Sequence, residues 1–152
     1  MKFPYTRIGR AAPAILSAFP ERPFISLPLL KFGIRYKDKS LKLSALVDSG
    51  ADVSLFPMDI AEALEINLSK AGSFSLISVS GQAITVKLHE IEMMFDKYSF
   101  KIPVGFSTAA GGARNFGAAG IIGHRGFFDR FIVSFHSKEE YFEVRDKILF
   151  QI

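Results

Sequence analysis

The chain contains no cysteine and no tryptophan. The first absence excludes disulfides, thiol nucleophiles and cysteinyl zinc sites, and it leaves the redox compartment open. Histidine is scarce: His89, His124 and His136 lie far apart and none belongs to an H-E-x-x-H spacing. No metal and no cofactor are therefore expected. No apolar run approaches the ~20 residues needed to cross a bilayer as a helix. The formal charge of +4 arises from nineteen Lys and Arg against fifteen acids, with no run of five or more basic residues. That basicity is too scattered for a nucleic-acid surface, so neither nucleic acid nor membrane is an expected partner. No G-x-S-x-G elbow is present, which removes the usual support for a serine hydrolase.

What remains is an ordinary globular composition, 49% hydrophobic and 22% charged over 152 residues, with sixteen phenylalanines to build a core. One domain is expected over residues 22–152. Residues 1–21 are read as an N-terminal extension, either removable or a strand packed beneath the core. Lys2, Arg7 and Arg10 precede "AAPAILSAF" in faint imitation of a signal peptide, but Pro13 interrupts the apolar stretch. A cytoplasmic location is the expectation.

The patterning is that of short strands. "PFISLPLLKFGIRY" (23–36) is broken by Pro28 and suits an edge strand or two short strands. "LKLSALV" (41–47) alternates and then turns fully apolar as it enters the core. Pro57 followed by Ile60, Ala61 and Leu64 at helical spacing predicts a short helix over 57–66. Residues 74–95 hold two alternating segments around Ser80, Gly81 and Gln82, a hairpin signal, and another strand follows over about 98–106. "STAAGGARNFGAAG" (107–120) reads as a flexible connection, without the Lys-Ser/Thr of a phosphate loop. "GHRGFFDRF" predicts one or two helical turns, and "FIVSF", "YFEV" and "ILFQI" close the chain as strands. The class expected is all-β.

One stretch raises a chemical question. In "ALVDSGADVSLFP" (45–57) the carboxylate of Asp48 follows directly on a strand entering the core, where an unpaired charge is costly. Asp-Ser-Gly alone is a common turn, with Gly50 permitting unusual backbone angles and Ser49 supplying a tie. The wider stretch is more specific. Leu46, Val47, Asp48, Ser49, Gly50, Ala51, Asp52, Val53 and Ser54 resemble, position for position, the active-site segment of the retropepsin-like aspartic proteases. A second signature of that family, two apolar residues and Gly before a short helix, is matched by Ile121, Ile122 and Gly123 in "GIIGHRGFFDRF". The candidate hairpin lies between them, where such enzymes carry a flap. The resemblance spans about 22–150 and is nearer to bacterial members than to viral ones. It departs at one place: viral members put Arg directly after that Gly, where this chain has His124 and then Arg125. Whether Asp52 pairs with Arg125 is left open by the sequence.

The resemblance implies a single-lobe, closed β-barrel acid-protease fold with one or two short helices and a flap hairpin. Its activity would be peptide-bond hydrolysis by water activated between two carboxyl groups that share a proton. Only Asp48 among seven aspartates precedes Ser-Gly, so the second carboxyl is expected from another copy in a C2 homodimer. By the same resemblance Asp48, Ser49 and Gly50 are catalytic, with Ser49 locking the two loops. Ala51, Asp52, Leu55, Ser80, Gly81, Gln82 and Ile122 would border a peptide or protein substrate, while Ile121, Gly123 and Arg125 support them. "KILFQI" (147–152) is the segment nominated for an interfacial sheet. The alternatives are a catalytically silent binding or dimerisation module of the same fold, and a small β-barrel binding protein.

Overall fold

The computed structural model describes residues 1–9, 18, 20–21, 23–78 and 80–147. Strands make up most of the described residues and helices few of them, which sets the class as all-β. The strands are β1 (Lys2–Pro4), β2 (Thr6–Gly9), β3 (Phe24–Leu27), β4 (Leu29–Tyr36), β5 (Lys39–Val47) and β6 (Ser54–Pro57). They continue with β7 (Ser73–Ile77), β8 (Ala83–Phe95), β9 (Tyr98–Ser107), β10 (Ile121–Ile122), β11 (Phe131–His136) and β12 (Tyr141–Asp146). An α-helix, α1 (Met58–Ala63), follows β6, and a 3-10 helix (Thr108–Phe116) joins β9 to β10.

Seven strands form one sheet in the order β4-β5-β10-β6-β9-β8-β7. Because β8 also pairs with β4 through Gly33↔Met94, Ile34↔Met93 and Arg35↔Glu92, six of them close into a ring. Alternation explains which face turns inward: on β4, Leu30, Phe32 and Ile34 are buried while Lys31 and Arg35 are exposed. Inside lie Phe56, Ile91, Met93, Ile102, Val104, Phe106 and Ile122. The phenylalanine content does what tryptophan would otherwise do. Phe95 and Phe127 each pack against Phe131 with ring centroids 5.2 Å apart, and Phe100 lies 5.4 Å from it, in tilted and edge-on arrangements.

A second sheet, β1-β12-β11, and a two-stranded ribbon, β2-β3, complete the architecture. The first nine residues are thus strands of the fold: Phe3 pairs with Phe142 across β1 and β12, and their rings stack at 5.3 Å. Pro28 divides 23–36 into the two strands β3 and β4, and β4 is flanked on both sides rather than lying at an edge.

Two expectations change on contact with the structure, a third narrows, and a fourth falls outside the described residues. The helix is shorter than 57–66: Pro57 caps it with ψ of 156°, and the chain leaves helical geometry by Glu65, whose φ is 55°. Residues 107–120 are not a loose connection, since Thr108–Phe116 is a 3-10 helix. The Ser107 hydroxyl accepts from Ala109 N–H at 3.2 Å, Gly117 closes the far end at φ of 71°, and Arg114 pairs with Asp59 of α1. "GHRGFFDRF" makes a single distorted turn at His124–Phe128, because Arg125 and Gly126 leave the helical region. The nominated interfacial strand lies, beyond Lys147, outside the described residues.

Glu140 ties the β11–β12 turn to the ribbon. Its carboxylate accepts from the Ser26 hydroxyl at 2.6 Å and from Arg7 Nε at 2.8 Å, and these bonds, Ser26 first, hold its pKa below the ordinary glutamate value of 4.5. Since the folded-state value is the lower one, the tie is fully present above pH 4.5 and is lost as pH falls through the lowered value. Limited proteolysis from pH 7 to pH 3 should release the ribbon progressively in the wild type, whereas Glu140→Gln should give the looser cleavage pattern at every pH. Phe131→Ala, which empties the centre of the aromatic cluster, should cost about 3–5 kcal/mol by urea unfolding.

Candidate active site

The site is created by register. β5 and β10 run parallel with Ile121 opposite Leu46 and Ile122 opposite Val47, so the residues that follow, Asp48 and Gly123, emerge together. The ladder continues one rung further, with Asp48 N–H donating to Ile122 carbonyl at 3.0 Å. Two segments 75 residues apart in the chain are thereby fixed side by side.

The contact between them is close. A Cβ on Gly123 would fall 2.7 Å from the Ala51 carbonyl oxygen and 2.8 Å from that of Val53, so only glycine fits without moving backbone. Its N–H donates to the buried Ser54 hydroxyl at 3.1 Å. His124 and Arg125 N–H groups donate to the carbonyls of Ala51 and Asp52, both at 2.8 Å. The open question about Asp52 has an answer: Arg125 Nε donates to its Oδ2 at 3.0 Å. This bond raises the guanidinium's already high pKa. Both side chains are about 60% exposed, 63% for Arg125 and 60% for Asp52, so the pair orients the loop more than it stabilises the fold.

Asp48 itself is half-buried, with Ser49 and Gly50 exposed beyond it. Its Oδ1 accepts from Gly50 N–H at 2.9 Å, and its carbonyl from Ala51 N–H at 3.3 Å, an Asx-type turn. Alternation puts the Leu46 side chain on the same face of the strand. Leu46 joins Leu55, Ile121, Ile84, Ala110 and Ala113 around an apolar cleft of about 300 Å³. Larger open grooves lie elsewhere, by Phe24–Leu27 and along β4 and β5; the Asp48 loop lines none of the three, and the small cleft approaches it through Leu46 and Ile121.

Most of the residues singled out from the sequence therefore meet. Asp48, Ser49, Gly50, Ala51 and Asp52 form one loop against Ile121, Gly123 and Arg125, and Leu55 lines the cleft beside it. Ile122 joins them through its backbone alone: with no exposed surface its side chain belongs to the core, and the half-buried Ile121 takes the place at the cleft. Ser80, Gly81 and Gln82 sit exposed in the β7–β8 turn, where Ser78 N–H donates to Gln82 carbonyl at 2.9 Å. Three contributors went unassigned in the sequence. They are the small-residue face of the 3-10 helix, the Ser54 hydroxyl and the His124 ring, whose Nε2 lies 2.8 Å from Ser49 carbonyl. A serine at an otherwise apolar strand position, in "VSLF", was the available signal for the second.

No protein-family model matches the chain, and no curated protein matches it. Chemically, the Asp48 loop offers a half-buried carboxyl group held by a peptide N–H, near an apolar cleft. Among the described residues no group of three or more acids or histidines could hold a metal ion.

The zipper between the two segments gives a stability test. Ser54→Ala leaves the Gly123 N–H buried without an acceptor and should cost about 1–3 kcal/mol. Gly123→Ala must displace the backbone of residues 51–53 and should cost at least as much, about 1–3 kcal/mol or more. Arg125→Ala should change the urea midpoint little, because its pair is exposed.

Proposed function

We propose that the chain is one lobe of an aspartic endopeptidase that works as a homodimer, each copy contributing Asp48. The observation that carries this reading is the meeting of the Asp-Ser-Gly-Ala-Asp loop with Ile121, Ile122 and Gly123 through consecutive parallel rungs. That juxtaposition is what the retropepsin-like arrangement requires of these two signatures. The six-membered ring of strands and the β7–β8 hairpin are in keeping with a closed acid-protease barrel and its flap.

The chemistry follows from charge. Two carboxyl groups a few ångströms apart cannot both ionise, so they share one proton and titrate as a pair. The ionised member takes a proton from water as that water attacks the peptide carbonyl, and the protonated member hydrogen-bonds to the carbonyl oxygen. Among the described residues the Asp48 carboxylate is bonded only by Gly50 N–H, and on this reading the second carboxyl group comes from the second copy. Ser49, exposed at the loop apex, is positioned to bond the facing loop. An extended peptide would lie along the cleft, with Leu46, Leu55 and Ile121 against an apolar side chain and main-chain bonds supplied by the hairpin. Asp52, Ala51 and the turn residues Ser80, Gly81 and Gln82 would border its backbone.

The second reading is a peptide-binding module of the same fold without hydrolysis, favoured by His124 standing where viral members carry arginine. Incubation of the purified chain with a mixed peptide library between pH 3 and 7 separates the two. The wild type should cleave, Asp48→Asn should lose about 10²–10⁴-fold in kcat, and specific activity should fall on dilution as the dimer dissociates. Cleavage unchanged in Asp48→Asn, or activity from a species of strictly monomeric mass, would overturn the proposal. Peptide binding without cleavage in the wild type would move the assignment to the silent module.

A further inference from the structure

The loop that presents Asp48 is exposed at Ser49 and Gly50, so packing does not set the orientation of the peptide between them. Two hydrogen bonds do. On one side of that peptide plane Gly50 N–H donates to Asp48 Oδ1 at 2.9 Å. On the other, Ser49 carbonyl lies 2.8 Å from His124 Nε2. A carbonyl can only accept, so Nε2 carries the hydrogen. Among the described residues no other hydrogen bond reaches Ser49.

The imidazole is itself fixed. It stacks on Phe128 with centroids 4.9 Å apart and planes 24° from parallel, and Phe128 stands edge-on to the buried Phe127 at 5.8 Å. The His124 N–H holds Ala51 carbonyl at the same time. This residue thus grips the loop on both sides of Gly50, from the second segment of the site.

We propose that His124 is a positioning residue for Asp48, acting through the Ser49–Gly50 peptide. With no Cβ at position 50, rotation of that peptide meets little steric resistance. A flipped peptide would take the N–H away from the Asp48 carboxylate and turn a carbonyl oxygen toward it, exchanging a charge-assisted bond for repulsion. The His124 bond to Ser49 carbonyl opposes that flip. Its effect on hydrolysis rests on the protease reading; its effect on the loop does not.

Nuclear magnetic resonance of the full chain tests it in three ways. In the wild type the ring-nitrogen shifts should report the Nε2–H tautomer, or the doubly protonated ring, and a neutral Nδ1–H ring would overturn the assignment. His124→Phe keeps an aromatic ring on Phe128 but has no donor, and it should speed solvent exchange of the Gly50 amide about tenfold, the loss of one net hydrogen bond. The amide donor in His124→Gln should return that rate to within about threefold of wild type. Gly50 exchange unchanged in His124→Phe, or equally fast in both variants, would overturn the proposal. In the peptide assay kcat should follow the same order, about tenfold down in His124→Phe and restored in His124→Gln, with KM little changed. A wild type that cleaves no peptide sinks the protease reading alone, since the tautomer and the Gly50 exchange rates still decide the role of His124.

Discussion

Two rungs of parallel pairing between β5 and β10 hold the rest of the molecule to its purpose. β10 is only two residues long, yet it is bonded to β5 on one side and to β6 on the other, so it closes the ring and aligns the site in the same few ångströms. A one-residue slip would send Ile121 into the core and Ile122 to the surface, because side chains alternate along a strand. It would also separate Asp48 N–H from Ile122 carbonyl. Fold and site fail together at that point. Register here is therefore a functional variable as well as a structural one.

Around this short strand the ring must be rigid, and the composition explains how it becomes so without disulfides or tryptophan. The Phe95, Phe100, Phe127 and Phe131 rings bridge the β8–β9 hairpin end and the turn that follows His124. Phe56 and Phe106 line the opposite part of the interior at 6.5 Å. The turn carrying His124 and Arg125 is thus anchored from beneath by Phe127, which has no exposed surface. Polar groups on the loop above inherit their positions from an apolar cluster below.

The strands and the hairpin were legible in the sequence because period-two alternation and turn chemistry are local signals. Pro28, the Ser80-Gly81-Gln82 turn and the apolar approach to Asp48 each act within a few residues of themselves. The turn at Asp48 was legible through its neighbours for the same reason. What could not be read was decided by distant partners. Ala109–Ala113 looked like a flexible run because alanine and glycine are small, but Ser107, Gly117 and the Arg114–Asp59 pair order it. Ile121 and Ile122 are indistinguishable in one dimension; which of them faces the cleft depends on the phase of β10 against β5 and β6. The bond from His124 to Ser49 crosses 75 residues and lies in no local pattern.

The length of β8 has a mechanical consequence. From Lys87 onward it is paired to β9 and belongs to the ring, whereas Ala83–Val86 is paired only with β7. The root is clamped: Leu88 N–H bonds Gly72 carbonyl at 3.0 Å, Lys87 reaches Leu68 carbonyl, and the Ser107 hydroxyl holds Thr85 carbonyl at 2.9 Å. Beyond Thr85 the hairpin is a beam fixed at one end, with Ile77 at its free end 80% exposed. Bending it breaks no rung of the ring, and such loop motions run on nanosecond to microsecond timescales. Ile84, one wall of the cleft beside Asp48, travels with the beam, so the width of that cleft is set by the stiffness of a hairpin and not by the packing of the core.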